Sequence, residues 1–447
     1  MGNFISTTRE EQLAMLQEIG YDSFRALFAG IPKDVLLKER LSLPEGCSEL
    51  EVSRILAGLA AKNVVFPHIF RGAGAYHHYI PAIVKSVTSK EEFLTAYTPY
   101  QAEISQGNLQ SIFEFQSMIC ELTGLDAANA SVYDGATAAA ESLFMCIERK
   151  RKKVLVSATT PPEVLGTMKT YCYGRDTELL IVPAKDGTTD QEALVQMLDD
   201  SVACFYVQQP NYYGMIEEAR TLGELVHTHG ASYIMGCNPI ALAALETPAE
   251  CGADIAVGEG QPLGMPLGFG GPYLGFMTAT KKMLRKLPGR IVGETVDQEG
   301  RRGYVLTLQA REQHIRREKA GSNICSNQAL CALTASVYLS AMGAEGLAQV
   351  AGLCTSKAHY LQQELAAAGY PPVYQKPFFH EFVTECPGDG AKVLKTLEQH
   401  GYLGGLLLSG NGTGAASRIL WCVTEMNTKA EMDELVRLLK EVAEGCN

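Results

Sequence analysis

Between Tyr97 and Gln106 the chain reads Tyr-Thr-Pro-Tyr-Gln-Ala-Glu-Ile-Ser-Gln. Tyr97, Thr98, Tyr100, Gln101, Glu103 and Gln106 all carry hydrogen-bonding side chains. Tyrosine offers a ring and a hydroxyl, glutamine a neutral donor and acceptor, and glutamate an acceptor that can orient an amine. In a core strand each of these groups would need a buried partner. The stretch therefore reads as a contact surface with an active-site contribution that is not covalent, or as a solvated loop. Pro99 fixes its own backbone, biases Thr98 away from the helical region and starts a turn.

The elements that follow position this stretch. Leu109, Ile112, Phe113, Met118, Ile119 and Leu122 recur at helical spacing, and Gly124 suits the helix stop. A short strand, Asn129–Val132, is expected to run into Tyr133-Asp134-Gly135-Ala136-Thr137. Small residues at such a strand-to-helix turn let a ligand approach, and free N–H groups there favour an anion. The alternative is that Asp134 caps the helix and Gly135 relieves crowding, and the Asp134 charge would oppose an anion.

Two later stretches are candidates for chemistry. Gly258–Gly275 is glycine-rich and follows an apolar strand, yet no lysine occurs between Lys185 and Lys281. Arg311 to Ile324 mixes charges densely, which on spacing alone describes a solvated helix face with neighbouring ion pairs. His77 and His78 diverge, His227 and His229 fall on different helical faces, and none has metal-site company. There is no P-loop, no dinucleotide fingerprint and no nucleophile elbow.

A net charge of −12 argues against nucleic acid as the main partner. Thirteen cysteines without a C-x-x-C pair read as buried thiols in a reducing compartment. The start lacks the pattern of a signal peptide, although Gly2 and Ser6 match the loose myristoylation pattern. No apolar run approaches the roughly 20 residues that span a bilayer, so a cytoplasmic chain without membrane contact is expected.

Residues 8–61 hold short helical patterns broken at Ile31-Pro32 and Leu43-Pro44. From about 125 to 280, apolar runs at Val154–Val156, Leu179–Val182, Ala203–Val207, Ser232–Met235, Ile255–Val257 and Leu274–Thr278 alternate with helices. That pattern predicts a mostly parallel sheet covered on both faces, with ligands beyond the carboxyl ends of the strands. Capping boxes are expected at Thr189–Glu192 and Thr428–Glu431. A long helix over Ala332–Ala368 and strands near Phe379–Thr384, Leu406–Leu408 and Ile419–Val423 make a smaller C-terminal α+β domain.

Gly72-Ala73-Gly74-Ala75-Tyr76, the Tyr97–Gly107 stretch and Ala127-Ala128-Asn129-Ala130-Ser131 occur in this order. Together they resemble the amino-terminal half of the glycine-cleavage P-protein, which some bacteria carry as the first of two subunits. The resemblance implies an α/β fold: a pyridoxal-phosphate-dependent aminotransferase-like large domain over 71–325, an N-terminal helical arm over 1–70 and a small domain over 326–447. In that family a second subunit resembles this one around Pro266 and Pro272, and counting back from these prolines puts Gln261 where that subunit has its cofactor lysine. Met235 falls where the partner has the aspartate for the pyridine nitrogen. A Schiff base needs a primary amine, and the electron sink needs a protonated ring nitrogen. The resemblance thus implies pyridoxal phosphate carried by the second subunit in a heterotetramer, with glycine and the lipoylated H-protein as further partners. Arg311, Arg316 and Asn323 lie in a family signature and are expected contacts for a cofactor phosphate, a carboxylate or the partner chain. A self-sufficient aminotransferase-like enzyme and a purely structural pseudo-enzyme are the alternatives.

Overall fold

The computed structural model describes residues 6–37, 39, 41–408 and 417–445, and divides into two compact units, Met1–Val65 and Phe66–Asn447. In the first unit, helices Arg9–Glu18 and Glu49–Ala60 each open with a capping box, Thr8 with Glu11 and Ser48 with Glu51. The second of these helices leaves Leu50, Ile55, Leu56 and Leu59 exposed.

A seven-stranded sheet organises the second unit. Its strands are β1 (Ala127–Ala128), β2 (Lys153–Ser157), β3 (Leu179–Val182), β4 (Val202–Gln209), β5 (Ser232–Cys237), β6 (Ile255–Glu259) and β7 (Gly275–Ala279), in the order β1-β7-β6-β5-β4-β2-β3. The pairs from β3 across to β6 are parallel, and β7 runs antiparallel to both β6 and β1. The expected strand at Asn129–Val132 is displaced. Pairing stops at Ala128, and Val132 keeps only one bridge to Gly275.

Both faces of the sheet are covered. The helices after α1 (Gln106–Thr123) are α2 (Gly135–Cys146) and α3 (Pro162–Gly174), and Val154, Val156, Tyr206, Ile234 and Val257 pack beneath them. Leu155, Phe205, Val207, Tyr233 and Met235 pack the opposite way, with Leu222 and Val226 of α4 (Ala219–Thr228). Alternate residues of one strand thus serve different layers. Each fully buried Leu, Val or Phe contributes about 1.5–3 kcal/mol of transfer free energy.

α1 ends at Gly124 in the left-handed conformation (φ 72°), as its glycine predicts. Its side carries a hairpin of β8 (Val292–Val296) and β9 (Arg302–Leu306). Gln116 exchanges two 2.9 Å hydrogen bonds with the Val292 backbone, and Gln106 exchanges bonds of 2.8 and 2.9 Å with that of Tyr304. Two amides on one helix therefore hold both strands of the hairpin.

α5 (Ala329–Ala367) turns a corner at Gly343, whose φ of 62° is non-helical. By length and composition it is the one helix among the described residues able to cross a membrane. Ala332, Tyr338, Val350, Cys354 and Leu361 nevertheless pack into two buried cores, as in a core helix. β10 (Glu381–Cys386), β11 (Leu406–Leu408) and β12 (Ser417–Cys422) form an antiparallel sheet with β12 central. α6 (Lys429–Gly445) buries Met432, Leu435, Val436 and Leu439 on it and starts with the expected box between Thr428 and Glu431. The box expected at Thr189 shifts instead. Asp190 itself caps helix Gln191–Met197, accepting from the Glu192 and Ala193 nitrogens.

Candidate functional site

The carboxyl ends of β4, β5 and β6 open onto a cavity of about 480 Å³. Its walls are the Gly72–Tyr76 segment, the start of α2, Glu163 on α3, and Gln208, Asn238 and Glu259 at the strand ends. This is where open α/β sheets bind ligands.

Glu259, the last residue of β6, organises one wall. Its Oε2 accepts from the Gly135 nitrogen at 2.9 Å, and its Oε1 accepts from Gln261 N at 3.0 Å and Leu274 N at 2.9 Å. The adjoining Asp134 accepts from Thr137 N at 2.7 Å and caps α2. A Cβ on Gly135 would lie 2.8 Å from the Glu259 nitrogen, so the glycine is there for close approach. Burial pushes the Glu259 carboxyl up to about 7 even though three N–H donors favour its charged form. The helix start that would suit an anion is therefore taken by two of the protein's own carboxyl groups.

Gln261 is wholly buried and fully bonded. Its Nε2 donates to the Tyr76 and Met265 carbonyls at 2.9 and 2.8 Å, and its Oε1 accepts from Tyr76 N at 2.9 Å. It ties the glycine-rich loop to the Gly72–Tyr76 segment. The same segment is held from below by Glu381 of β10, which accepts from Ala73 N at 2.6 Å and from the Tyr76 hydroxyl at 2.8 Å. Burial raises the Glu381 carboxyl to about 7 as well.

On the floor, the Tyr206 hydroxyl donates to Gln208 Oε1 at 3.1 Å. A Cβ at Gly236 would stand 2.2 Å from that hydroxyl, so the tyrosine fills the space an acid on β5 would need. Met235, the residue expected opposite a pyridine nitrogen, lies on the other face of the sheet with Phe205 and Val207. Among the described residues no lysine lines the cavity. Carboxylates on the helix start, a tyrosine on the floor and a bonded amide where an amine is needed do not fit pyridoxal phosphate.

Residues 2–439 match the family described as glycine cleavage system P-protein. The chain belongs to that family. Among curated relatives it is 48% identical over 444 residues to a Desulfitobacterium hafniense protein and 51% identical over 441 residues to one from Moorella thermoacetica. Both are named "Probable glycine dehydrogenase (decarboxylating) subunit 1", and the alignments cover 98% of this chain with 100% and 99% of theirs. A crystal structure of glycine decarboxylase (P-protein) of the glycine cleavage system, in inhibitor-bound form, superposes with a TM-score of 0.92 at 42% identity, covering 99% of this chain and 100% of that one. The fold extends to an aspartate aminotransferase from Thermus thermophilus, with a TM-score of 0.58 at 14% identity over 85% of this chain and 99% of that one. The aminotransferase-like α/β architecture expected from the P-protein resemblance is therefore the one present.

The Tyr97–Gln106 stretch does not line the cavity. Tyr97 is 92% exposed, Thr98 adopts a φ of 106° at the turn, and Gln101 and Glu103 are exposed. Tyr100 is half-buried: its hydroxyl accepts from Asn327 Nδ2 at 3.0 Å, and the Arg290 guanidinium lies 5.3 Å from its ring centroid. Arg290 also bonds Glu312, so the Tyr97–Gln106 stretch and the charged Arg311–Ile324 segment meet at this arginine. The Gln106 amide is engaged by the hairpin. Arg311 donates to the carbonyls of Leu287 and Gly289 and braces the segment carrying Arg290. Arg316 and Asn323 are exposed at the rims of two neighbouring cavities. Sequence reasoning missed Glu259, Glu381, Tyr206 and Arg290. Only Glu259 carried a local signal, an acid between two glycines at a strand end.

Proposed function

We propose that the chain is the lysine-free half of a two-subunit glycine decarboxylase, inactive alone. What supports this reading is Gln261, a neutral amide engaged by Tyr76 and Met265 at the position where, counting back from Pro266 and Pro272, the resembling second subunit has its cofactor lysine. A self-sufficient enzyme would need an amine on the cavity, and among the described residues no lysine lines it. The second subunit carries pyridoxal phosphate, which supplies the electron sink for decarboxylation there. In the two-subunit assembly glycine would lose its carboxylate as carbon dioxide, and its aminomethyl group would pass to the oxidised lipoyl group of the H-protein.

This chain contributes contacts. Tyr97, Thr98, Gln101 and Glu103 stand out from the body, while Arg290, Asn327 and the hairpin hold Tyr100 and Gln106 beneath them. Arg316 and Asn323 are further contacts for the partner's cofactor or for glycine, and Arg311 acts through the backbone it holds. The assembly is a heterotetramer with two copies of each subunit. The test mixes the purified chain with pyridoxal phosphate and then with the second subunit. An imine absorbance that borohydride fixes onto a lysine of this chain contradicts the reading. Exchange of carbon dioxide with glycine that appears only on adding the second subunit supports it.

A further inference from the structure

His78 lies just past the Gly72–Tyr76 segment and meets two side chains from the C-terminal part of the chain. Its Nδ1 stands 2.7 Å from Glu425 Oε2, and the Cys354 thiol on α5 donates to the same oxygen at 3.4 Å. One nitrogen, one sulfur and one oxygen thus lie within 4.8 Å of one another. His78 and Cys354 are buried, and the Glu425 side chain is only 9% exposed. The histidine that lacks metal-site company along the sequence finds it in the fold, since 347 and 71 residues separate Glu425 from its two neighbours. Glu425 is also held from outside. Its Oε1 accepts from Tyr79 N at 2.6 Å, and its carbonyl accepts from Lys357 Nζ at 2.5 Å, which leaves Oε2 to face His78 and Cys354. Two buried polar atoms here have no partner among the described residues, His78 Nε2 and the hydroxyl of Tyr338. Tyr338 precedes the Gly343 corner of α5 and Cys354 follows it. Burial raises the pKa of the Tyr338 hydroxyl, and the nearby Glu425 and Cys354 raise it further, which puts the hydroxyl beside the same group. Buried polar atoms are almost always paired, so an orphaned hydroxyl next to three ligand-type side chains points to a missing occupant.

We propose that His78, Cys354 and Glu425 bind a divalent transition-metal ion of the zinc class, with Tyr338 beside the fourth position. Imidazole, thiolate and carboxylate are the ligands zinc takes, and the sulfur and nitrogen exclude calcium and magnesium, which favour oxygen alone. Binding replaces the Cys354 S–H bond by a sulfur–metal bond, and that proton leaves to solvent. The proton on His78 Nδ1 moves to Nε2, which frees the Nδ1 lone pair for the ion. The dication then faces one thiolate and one carboxylate, so its charge is cancelled within the buried site. Bonds of about 2.0–2.1 Å put tetrahedral nitrogen and oxygen ligands about 3.3 Å apart, so the 2.7 Å His78–Glu425 pair opens by about half an ångström on binding. A water would complete the shell, with the Tyr338 hydroxyl to meet it. The ion would tie the chain after Gly72–Tyr76 to α5 and to the segment after β12. The site is separate from the strand-end cavity and does not rest on the glycine decarboxylase reading.

The test titrates the chelator-stripped full chain with cobalt(II). Cys47→Ser, Cys325→Ser and Cys446→Ser are present throughout, to remove two exposed thiols and a third that lies outside the described residues. A thiolate-to-cobalt band in the near ultraviolet should saturate at one equivalent and disappear when zinc displaces the cobalt. Cys354→Ser should abolish the band, and His78→Gln should weaken cobalt binding at least tenfold. A measurement that keeps all three ligands guards against a misfolded variant. X-ray absorption of the zinc-loaded protein should show one sulfur at about 2.3 Å among nitrogen and oxygen neighbours. No saturable band, the same band in Cys354→Ser, or a zinc shell without sulfur overturns the proposal and leaves the three side chains as a hydrogen-bonded strut.

Discussion

The Glu259 carboxylate stands 2.9 Å from the backbone nitrogen of Gly135, at the N-terminus of the helix that faces the cavity. An anion from solution would seek the same N–H groups and the same end of the helix dipole. The side chain thus occupies the place where an aminotransferase-like sheet would offer a ligand its anion site. The same carboxylate also binds the nitrogens of Gln261 and Leu274, which fixes both ends of the glycine-rich loop.

Stability should fall as pH rises toward neutrality. Glu259 and Glu381 both have carboxyls raised to about 7 by burial, above the ordinary value of 4.5. The folded chain then binds more protons than the unfolded chain between those values, so their contribution is complete below 4.5 and lost through about 7. Each site is worth on the order of 3 kcal/mol across that window. Urea denaturation between pH 5 and 8 should show the slope, and Glu259→Gln with Glu381→Gln should flatten it. An unchanged slope in the double variant would rule out these two groups as its source.

Gln261→Ala should destabilise the chain by about 2–4 kcal/mol, because it strands the buried Tyr76 nitrogen and the Tyr76 and Met265 carbonyls. Gln261→Glu would keep the size but replace the donor with a charge facing two carbonyls, and it should cost more. Thermal denaturation ranks the two. A melting temperature unchanged in Gln261→Ala would show that the clamp does not hold the loop.

The sheet was legible because each strand is a short apolar run between helices, and every one from Val154 to Thr278 is found near its expected place. The C-terminal strands and the final capping box were legible for the same local reasons. What was not legible was which face a residue serves. A strand buried on both faces shows no alternation, so a one-residue slip is invisible in sequence. Hence Met235 was placed at the cofactor floor, where Tyr206 and Gly236 stand. The strand expected at Asn129–Val132 failed because the Asn129 side chain donates to Pro288 and the backbone there bonds Arg290 instead of continuing the ladder. Glu381 lies 308 residues from Ala73, and no local pattern links them.

Gln106→Ala and Tyr100→Phe separate scaffold from contact. Gln106→Ala removes both bonds to the Tyr304 backbone and should loosen the hairpin by about 1–3 kcal/mol. Tyr100→Phe removes only the hydroxyl that accepts from Asn327. In the mixed complex it should lower turnover by about ten- to a thousandfold if the stretch completes the partner's site. Wild-type turnover in both variants, with normal assembly, would remove the active-site role of Tyr97–Gln106.

Light scattering on the mixture should give a mass near twice the sum of the two subunits. A fully active dimer of one copy each would contradict the heterotetramer and leave the division of labour intact.

The division of labour is tested most directly by the glycine-dependent exchange of labelled carbon dioxide, measured on this chain alone and then with the second subunit and lipoylated H-protein. The account predicts no exchange above background from the pure chain at any concentration of pyridoxal phosphate, and robust exchange once the second subunit is added. Exchange by the pure chain, saturable in pyridoxal phosphate, would contradict it.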